Sequence, residues 1–442
     1  MNQTGLRLDQ APPLLVPLRF FLTAPLFPVL AAAYLAWHGP EALATRWSPA
    51  LLVLTHLLTL GFLAQVMVGA MMQLLPVLAG APIARPGLVG RAVHIPLTLG
   101  ALVLWAGLTV HAGLLPIAVL LLGGGFAVFI FAAAHSLLRA GSGHPTIPAM
   151  RLALTALALT VALGLGLGLA HGGLIGWPLQ NALTDMHLAW GLLGWVGLLV
   201  MGVAYQVVPM FQLTPQYPPW MQRWLAPAVF AALILWSLSR ALAPQATWLT
   251  FFLGATLAFG LAAFALMTLR LQSRRKRRLP DVTANFWRLG MGCLLLAVAL
   301  WLLTQRVAIP RREWLLGMLF IVGFAASVIQ GMLYKIVPFL LWLHLRARSI
   351  RGALPNMKEI LPDRRTMPQF WIHAAAVVLL CATAFAPRWF LYPAAGVTAL
   401  SFAWLGWNLL SAYRVFRRVV RAASADGVLR TEVHNSQLTT HD

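Results

Sequence analysis

The feature that most restricts this 442-residue chain is its succession of long apolar runs. A helix crossing a bilayer needs roughly 20 mostly apolar residues, because each residue rises about 1.5 Å and the hydrocarbon core is about 30 Å thick. Twelve segments meet this need, near residues 15–37, 50–78, 92–112, 114–138, 152–171, 182–212, 224–243, 247–269, 286–305, 313–343, 370–386 and 389–413. Helices satisfy their own backbone polar groups, which lipid cannot do, and they tolerate the internal Pro and Gly found here. A membrane β-barrel would show alternating segments of about ten residues, whereas these runs are continuous. The expected fold is all-α, a polytopic membrane protein with twelve transmembrane helices. It forms a single membrane domain over residues 1–423, with a polar cytoplasmic tail over 424–442. Arg19 interrupts the first run, and the stretch after it is long enough to span, so no cleaved signal peptide is expected.

Composition agrees. Charged residues make up 10% of the chain and hydrophobic ones 60%, against about 25% charged in a soluble protein. That excludes an ordinary soluble enzyme and a disordered chain. The net charge of +22 would suggest nucleic acid if it were spread evenly, but it is not. With the N-terminus inside, 25 Lys and Arg fall in inner loops and tails, 6 in outer loops, and Lys335 within a span. This is the positive-inside bias of a membrane protein. The expected partner is the lipid bilayer, not nucleic acid, and the expected location is a bacterial inner membrane with both termini cytoplasmic. The run Arg274-Arg275-Lys276-Arg277-Arg278 reads as a topology anchor at an anionic leaflet, with a partner-binding patch as the alternative. Cys293 and Cys381 fall inside apolar runs and read as small buried hydrophobes.

An internal repeat organises the spans. The second, sixth and tenth each carry Gly, Gly eight residues on, Gln or Lys four further, and Pro three further. The positions are Gly61, Gly69, Gln73 and Pro76; Gly194, Gly202, Gln206 and Pro209; and Gly323, Gly331, Lys335 and Pro338. The first glycines lie 133 and 129 residues apart. A four-span unit therefore recurs three times, over about 12–140, 145–275 and 283–420. The units open with Arg19, Arg151 and Arg288 and close with Arg139, Arg270 and Arg414. Small residues at even spacing let helix backbones approach, so three equivalent helices are expected near a common axis.

Three units of four helices resemble the catalytic subunit of the heme-copper oxidase superfamily. The chain looks like its shortened, ligand-poor relatives, with the nitric-oxide-response membrane proteins of the NnrS type as a neighbouring group. The resemblance covers about residues 12–420 and rests on topology, repeat phase and two histidines. It implies that His56, on the second span, holds a low-spin heme and that His187, on the sixth, holds copper. Met318 on the tenth span precedes its glycine by five residues, as His56 does, and so stands as a second axial ligand. The departures are plain. The seventh span, APAVFAALILWSLSRALA, has no histidine, Gly191 stands where the main type has tyrosine, and the tenth span has no histidine within the membrane. A three-histidine copper centre cannot be assembled from the matching positions, so oxygen reduction is not expected.

The residues themselves leave alternatives open. His56 and His187 each lie five or six residues inside a span, where ionisable side chains are rare and face the bundle interior. Each reads as a metal or heme ligand or as a hydrogen-bonded structural histidine. Met318 reads equally as core packing. Asp185 either orients His187, carries a proton, or starts a helix in the headgroup region. Lys335 either snorkels to the inner interface or binds a proton or anion. Gln65, Gln73, Gln206 and Gln330 are expected to bond between helices. His38, His111 and His171 sit at outer span ends. His94, His135, His344 and His373 sit near the inner face, His144 in an inner loop, and His434 and His441 in the tail. No P-loop, dinucleotide fingerprint, nucleophile elbow or zinc motif is present, and the GLGLG run at 164–168 reads as apolar membrane sequence.

The expected function is a heme- or metal-binding membrane protein in an accessory, sensing or electron-transfer role. Heme is the first cofactor, copper the second, and a redox partner is implied. The alternative is a cofactor-free permease, channel or structural subunit on the same scaffold.

Overall fold

The computed structural model describes residues 10–140, 146–176, 180–276, 281–348 and 354–425. His144, Arg277, Arg278, His434, His441 and most of the polar tail lie outside the described residues. Among the described residues, ten helices are long and apolar enough to cross a membrane. They are α1 (Leu15–Leu43), α2 (Pro49–Val77), α3 (Pro86–Thr109), α4 (Ala112–Arg139), α5 (Thr146–His171), α6 (Asn181–Gln212), α7 (Pro219–Leu242), α8 (Thr247–Ser273), α9 (Val282–Leu303) and α10 (Arg312–Arg346). The chain is thus a multi-pass membrane protein. Two more long helices follow, α11 (Asp363–Ala382) and α12 (Pro387–Ala425). They are long enough to span but more polar, because Gln369, His373, Ser401 and Asn408 turn inward and are wholly buried.

Several helices outrun the apolar segments read from sequence. α3 starts at Pro86, not 92, α5 at Thr146, not 152, α7 at Pro219, not 224, and α11 at Asp363, not 370, while α12 runs to Ala425. Hydropathy measures the stretch in hydrocarbon, while the helix continues into the polar interface as long as its backbone bonds are made. The additions fall at the Arg-rich ends, for instance Arg364 and Arg365 on α11 and Arg417, Arg418 and Arg421 on α12.

Helices α2, α6 and α10 form the interior. Of their apolar stretches 67%, 72% and 89% is buried, against 22–44% for α3 to α5 and α7 to α9. Around them α4 packs on α5, α8 on α9, and α12 returns to α1. A small apolar cavity of about 70 Å³ lies among residues of the three inner helices, with Phe21 and Trp287 also lining it.

The repeated glycines explain how these helices sit. A Cβ at Gly61 would fall 2.2 Å from the Phe27 ring and one at Gly69 2.8 Å from Phe20. Gly194 faces Ala156 and Gly202 faces Ala149, while Gly323 faces Cys293 and Gly331 faces Phe286. Each glycine pair, eight residues apart, thus meets two residues seven apart on α1, α5 or α9. The mismatch has a local cause. Each inner helix contains a π segment around its first glycine, at Leu57–Ala64, Trp190–Gly197 and Met318–Ala326. A π turn carries an extra residue, so eight residues on one helix cover seven on its neighbour.

This register corrects one detail of the sequence pattern. Arg151 and Arg288 each lie two residues after the glycine-facing Ala149 and Phe286, but Arg19 lies one before Phe20. Arg19 is therefore out of phase. Arg151 has a local task, donating from Nη2 to the Leu137 and Ala140 carbonyls at the end of α4, at 2.7 and 3.3 Å.

Candidate functional site: a histidine pair between two inner helices

His56 ends the regular first part of α2, one residue before its π segment, and His187 stands three residues before the π segment of α6. The fold brings them together. Their ring centroids are 6.2 Å apart and the planes differ by 23°. Each ring is fixed from behind. His56 Nδ1 lies 2.7 Å from the Leu52 carbonyl oxygen, and His187 Nδ1 lies 3.0 Å from that of Thr160. A carbonyl only accepts, so Nδ1 of each neutral ring carries the proton and Nε2 keeps the lone pair. Orientation of a ligand imidazole through its second nitrogen is how metal-binding histidines are held.

Gly164 makes room for His187. A Cβ there would come 2.7 Å from His187 Cε1, so the ring lies directly on the α5 backbone. This glycine belongs to the run that reads from sequence only as apolar membrane filler.

The fit of the pair to a metal is a matter of number and spacing. Two metal–nitrogen bonds of about 2.0–2.1 Å, with ring radii of about 1.1 Å, put two imidazoles across one metal roughly 6 Å apart, centre to centre. A bare zinc ion takes four ligands. Among the described residues, no group of three or more His, Cys, Asp or Glu is placed to hold a metal ion. Met318 lies on the third inner helix, α10. It is buried, 5% exposed, and opens the π segment of α10.

Asp185 does not orient His187. It accepts from Arg46 and, at 2.8 Å, from Arg240. Residues two apart on a helix point to nearly opposite sides, so the carboxylate turns away from the imidazole. Instead it ties the α1–α2 loop and the end of α7 to the start of α6. Lys335 runs toward the start of α9 and pairs with Asp281 at 3.1 Å. Asp281 also caps α9 by accepting from the Thr283 amide.

The structure adds a buried polar core that hydropathy does not show. His373 is wholly buried. Because α11 begins at Asp363, His373 lies ten residues along it, about 15 Å from its start at 1.5 Å per residue. Ser327 Oγ lies 2.9 Å from His373 Nε2, and Gln330 Nε2 donates to His373 Nδ1 at 3.0 Å. Gln369 Nε2 donates to Gln330 at 2.8 Å, Tyr334 donates to Gln369 at 2.9 Å, and Asn408 donates to Tyr334 at 3.0 Å. Both nitrogens of His373 are occupied, which leaves none for a metal. His94 is its counterpart, packing on Phe20 with centroids 5.0 Å apart as His373 packs on Phe286 at 5.5 Å. Phe20 and Phe286 face the equivalent glycines Gly69 and Gly331.

Among the glutamines, Gln65 donates to Thr98 at 3.0 Å and Gln330 joins the network above, so both bond between helices. His38, His111, His135 and His171 are exposed. A scan against protein-family models finds no match, and a search of curated protein sequences finds none either.

Proposed function

We propose that the protein is a heme-binding membrane protein of twelve transmembrane helices, built as three four-helix units related to the heme-copper oxidase catalytic subunit. His56 and His187 would hold the heme iron, and the role is electron transfer, sensing or an accessory one. The observation that carries this reading is the pair itself. Two imidazoles from two inner helices stand 6.2 Å apart, each with Nδ1 committed to a carbonyl and Nε2 free of such a commitment.

Three repeated glycine contacts and three π segments in phase support the three-unit layout. The excess of Arg and Lys on one side supports cytoplasmic termini in a bacterial inner membrane.

A heme iron bound there would supply one-electron chemistry or a coordination site for a small ligand. The chain's own part is binding and orientation. The Leu52 and Thr160 carbonyls set the tautomer, Gly164 admits the His187 ring, and the Arg46–Asp185–Arg240 cluster braces the outer end of α6.

The test is a reduced-minus-oxidised spectrum of detergent-purified protein expressed with ample heme and copper, paired with metal analysis. One heme per chain is expected, with the Soret band lost in His56→Ala and shifted in His187→Ala. A Soret band unchanged in both variants would overturn the ligand assignment. Copper without heme would make the pair a copper site. A colourless, metal-free protein would favour the permease or structural reading, for which the polar core around His373 is the relevant feature.

A further inference from the structure

A second site lies between α11 and α12 and does not involve the histidine pair. A cavity of about 500 Å³ opens along α12, lined by Arg365 of α11 and by Leu400, Ala403, Trp404, Trp407 and Asn408. Eight residues separate Leu400 from Asn408, about 12 Å along a helix. The groove therefore runs from apolar membrane depth to the membrane edge. At that edge Arg365 is the third residue of α11, and Arg414 lies with its guanidinium 5.0 Å over the Trp407 ring. Leu400 and Trp407 are 51% and 57% exposed, so the groove opens sideways, toward lipid. At its back Asn408 is wholly buried. Its Nδ2 donates to Tyr334 and to the Arg365 carbonyl, while its Oδ1 accepts no hydrogen bond.

We propose that this groove holds one anionic phospholipid, its phosphate at Arg365 and Arg414 and an acyl chain along Leu400, Ala403 and Trp404. The two halves of the groove ask for the two halves of one amphiphile. A soluble anion has no use for the apolar half, and a zwitterionic lipid brings no net charge to the two guanidinium groups. Basic pockets between helices at the membrane edge are suited to anionic headgroups, and indoles sit well at that depth. The site also touches the interior. Asn408 joins the groove to Tyr334, Gln369, Gln330 and His373, so an occupant braces the polar core between α10, α11 and α12.

The experiment uses the full-length protein, delipidated in detergent. Native mass spectrometry and thermal unfolding are followed while phosphatidylglycerol, phosphatidylcholine or inorganic phosphate is added. Phosphatidylglycerol alone is expected to bind at one per chain and to raise the unfolding temperature. Arg365→Gln and Arg414→Gln are each expected to weaken it about tenfold, the loss of one charge-assisted contact. Arg365 also donates to Ser411 at 3.2 Å, so Arg414→Gln keeps the test informative if the first variant misfolds. Equal binding of phosphatidylcholine, stabilisation by inorganic phosphate alone, or unchanged affinity in Arg414→Gln would overturn the proposal.

Discussion

At the scale of single residues, three histidines in similar apolar surroundings take different parts because of what their nitrogens meet. His373 has both nitrogens engaged inside a polar network, whereas His56 and His187 each commit only Nδ1 to a carbonyl. His373→Leu strands Ser327 and Gln330 among buried groups, at about 1–3 kcal/mol for each unsatisfied group. It should lower the unfolding temperature in detergent and leave any heme spectrum in place; a lost Soret band with a stable fold would reverse that assignment. Gly164→Ala makes the opposite prediction. Alanine is a better helix former, yet its methyl would fall 2.7 Å from His187 Cε1. Heme content should drop while the unfolding temperature of the apoprotein holds, and full occupancy would show that the ring can move aside.

Helices α2, α6 and α10 owe their positions to their glycines. The contact at Gly202 is unforgiving, because it faces the Cβ of Ala149 at 2.6 Å, an atom fixed to the backbone. Gly202→Ala should force α5 and α6 apart and destabilise by about 1–3 kcal/mol, the usual effect of overpacking. Adding Ala149→Gly should restore most of that loss, and thermal unfolding of the four members of the cycle measures the coupling. Gly396→Ala on α12, with nothing within 4 Å of its added methyl, serves as the control and should be neutral or raise stability by up to about 1 kcal/mol, since alanine is the better helix former. At this scale the glycine spacing was legible in the sequence, since helix contacts of this closeness admit no side chain. The π segments were not, because hydropathy and spacing carry no mark of a local change in hydrogen-bond register. Helix starts were also hidden: the polar turn from Asp363 to Gln369 lies outside the apolar window but inside the helix.

For the whole molecule, the proposed orientation makes a direct prediction. A fluorescent reporter fused after Ala425 should fold and glow in the cytoplasm, while an alkaline phosphatase fused in the α1–α2 loop near Arg46 should be active outside. The reverse pattern would refute the orientation. That loop is tied to the outer ends of α6 and α7 through Asp185, so the fusion belongs beside the cluster and not within it. The sequence by itself determined that this is a helical membrane protein and where its apolar segments run, because bilayer thickness and backbone satisfaction leave a chain this apolar few other forms. It also marked His56, His187 and the three glycine-bearing helices, through residues too costly or too small to be placed there at random. Only the tertiary structure decided that His56 faces His187, that Asp185 turns to two arginines and that His373 lies at the heart of a polar core. Those pairings join residues dozens to more than a hundred positions apart, and they follow from helix rotation and from lengths beyond the apolar window, neither of which hydropathy records.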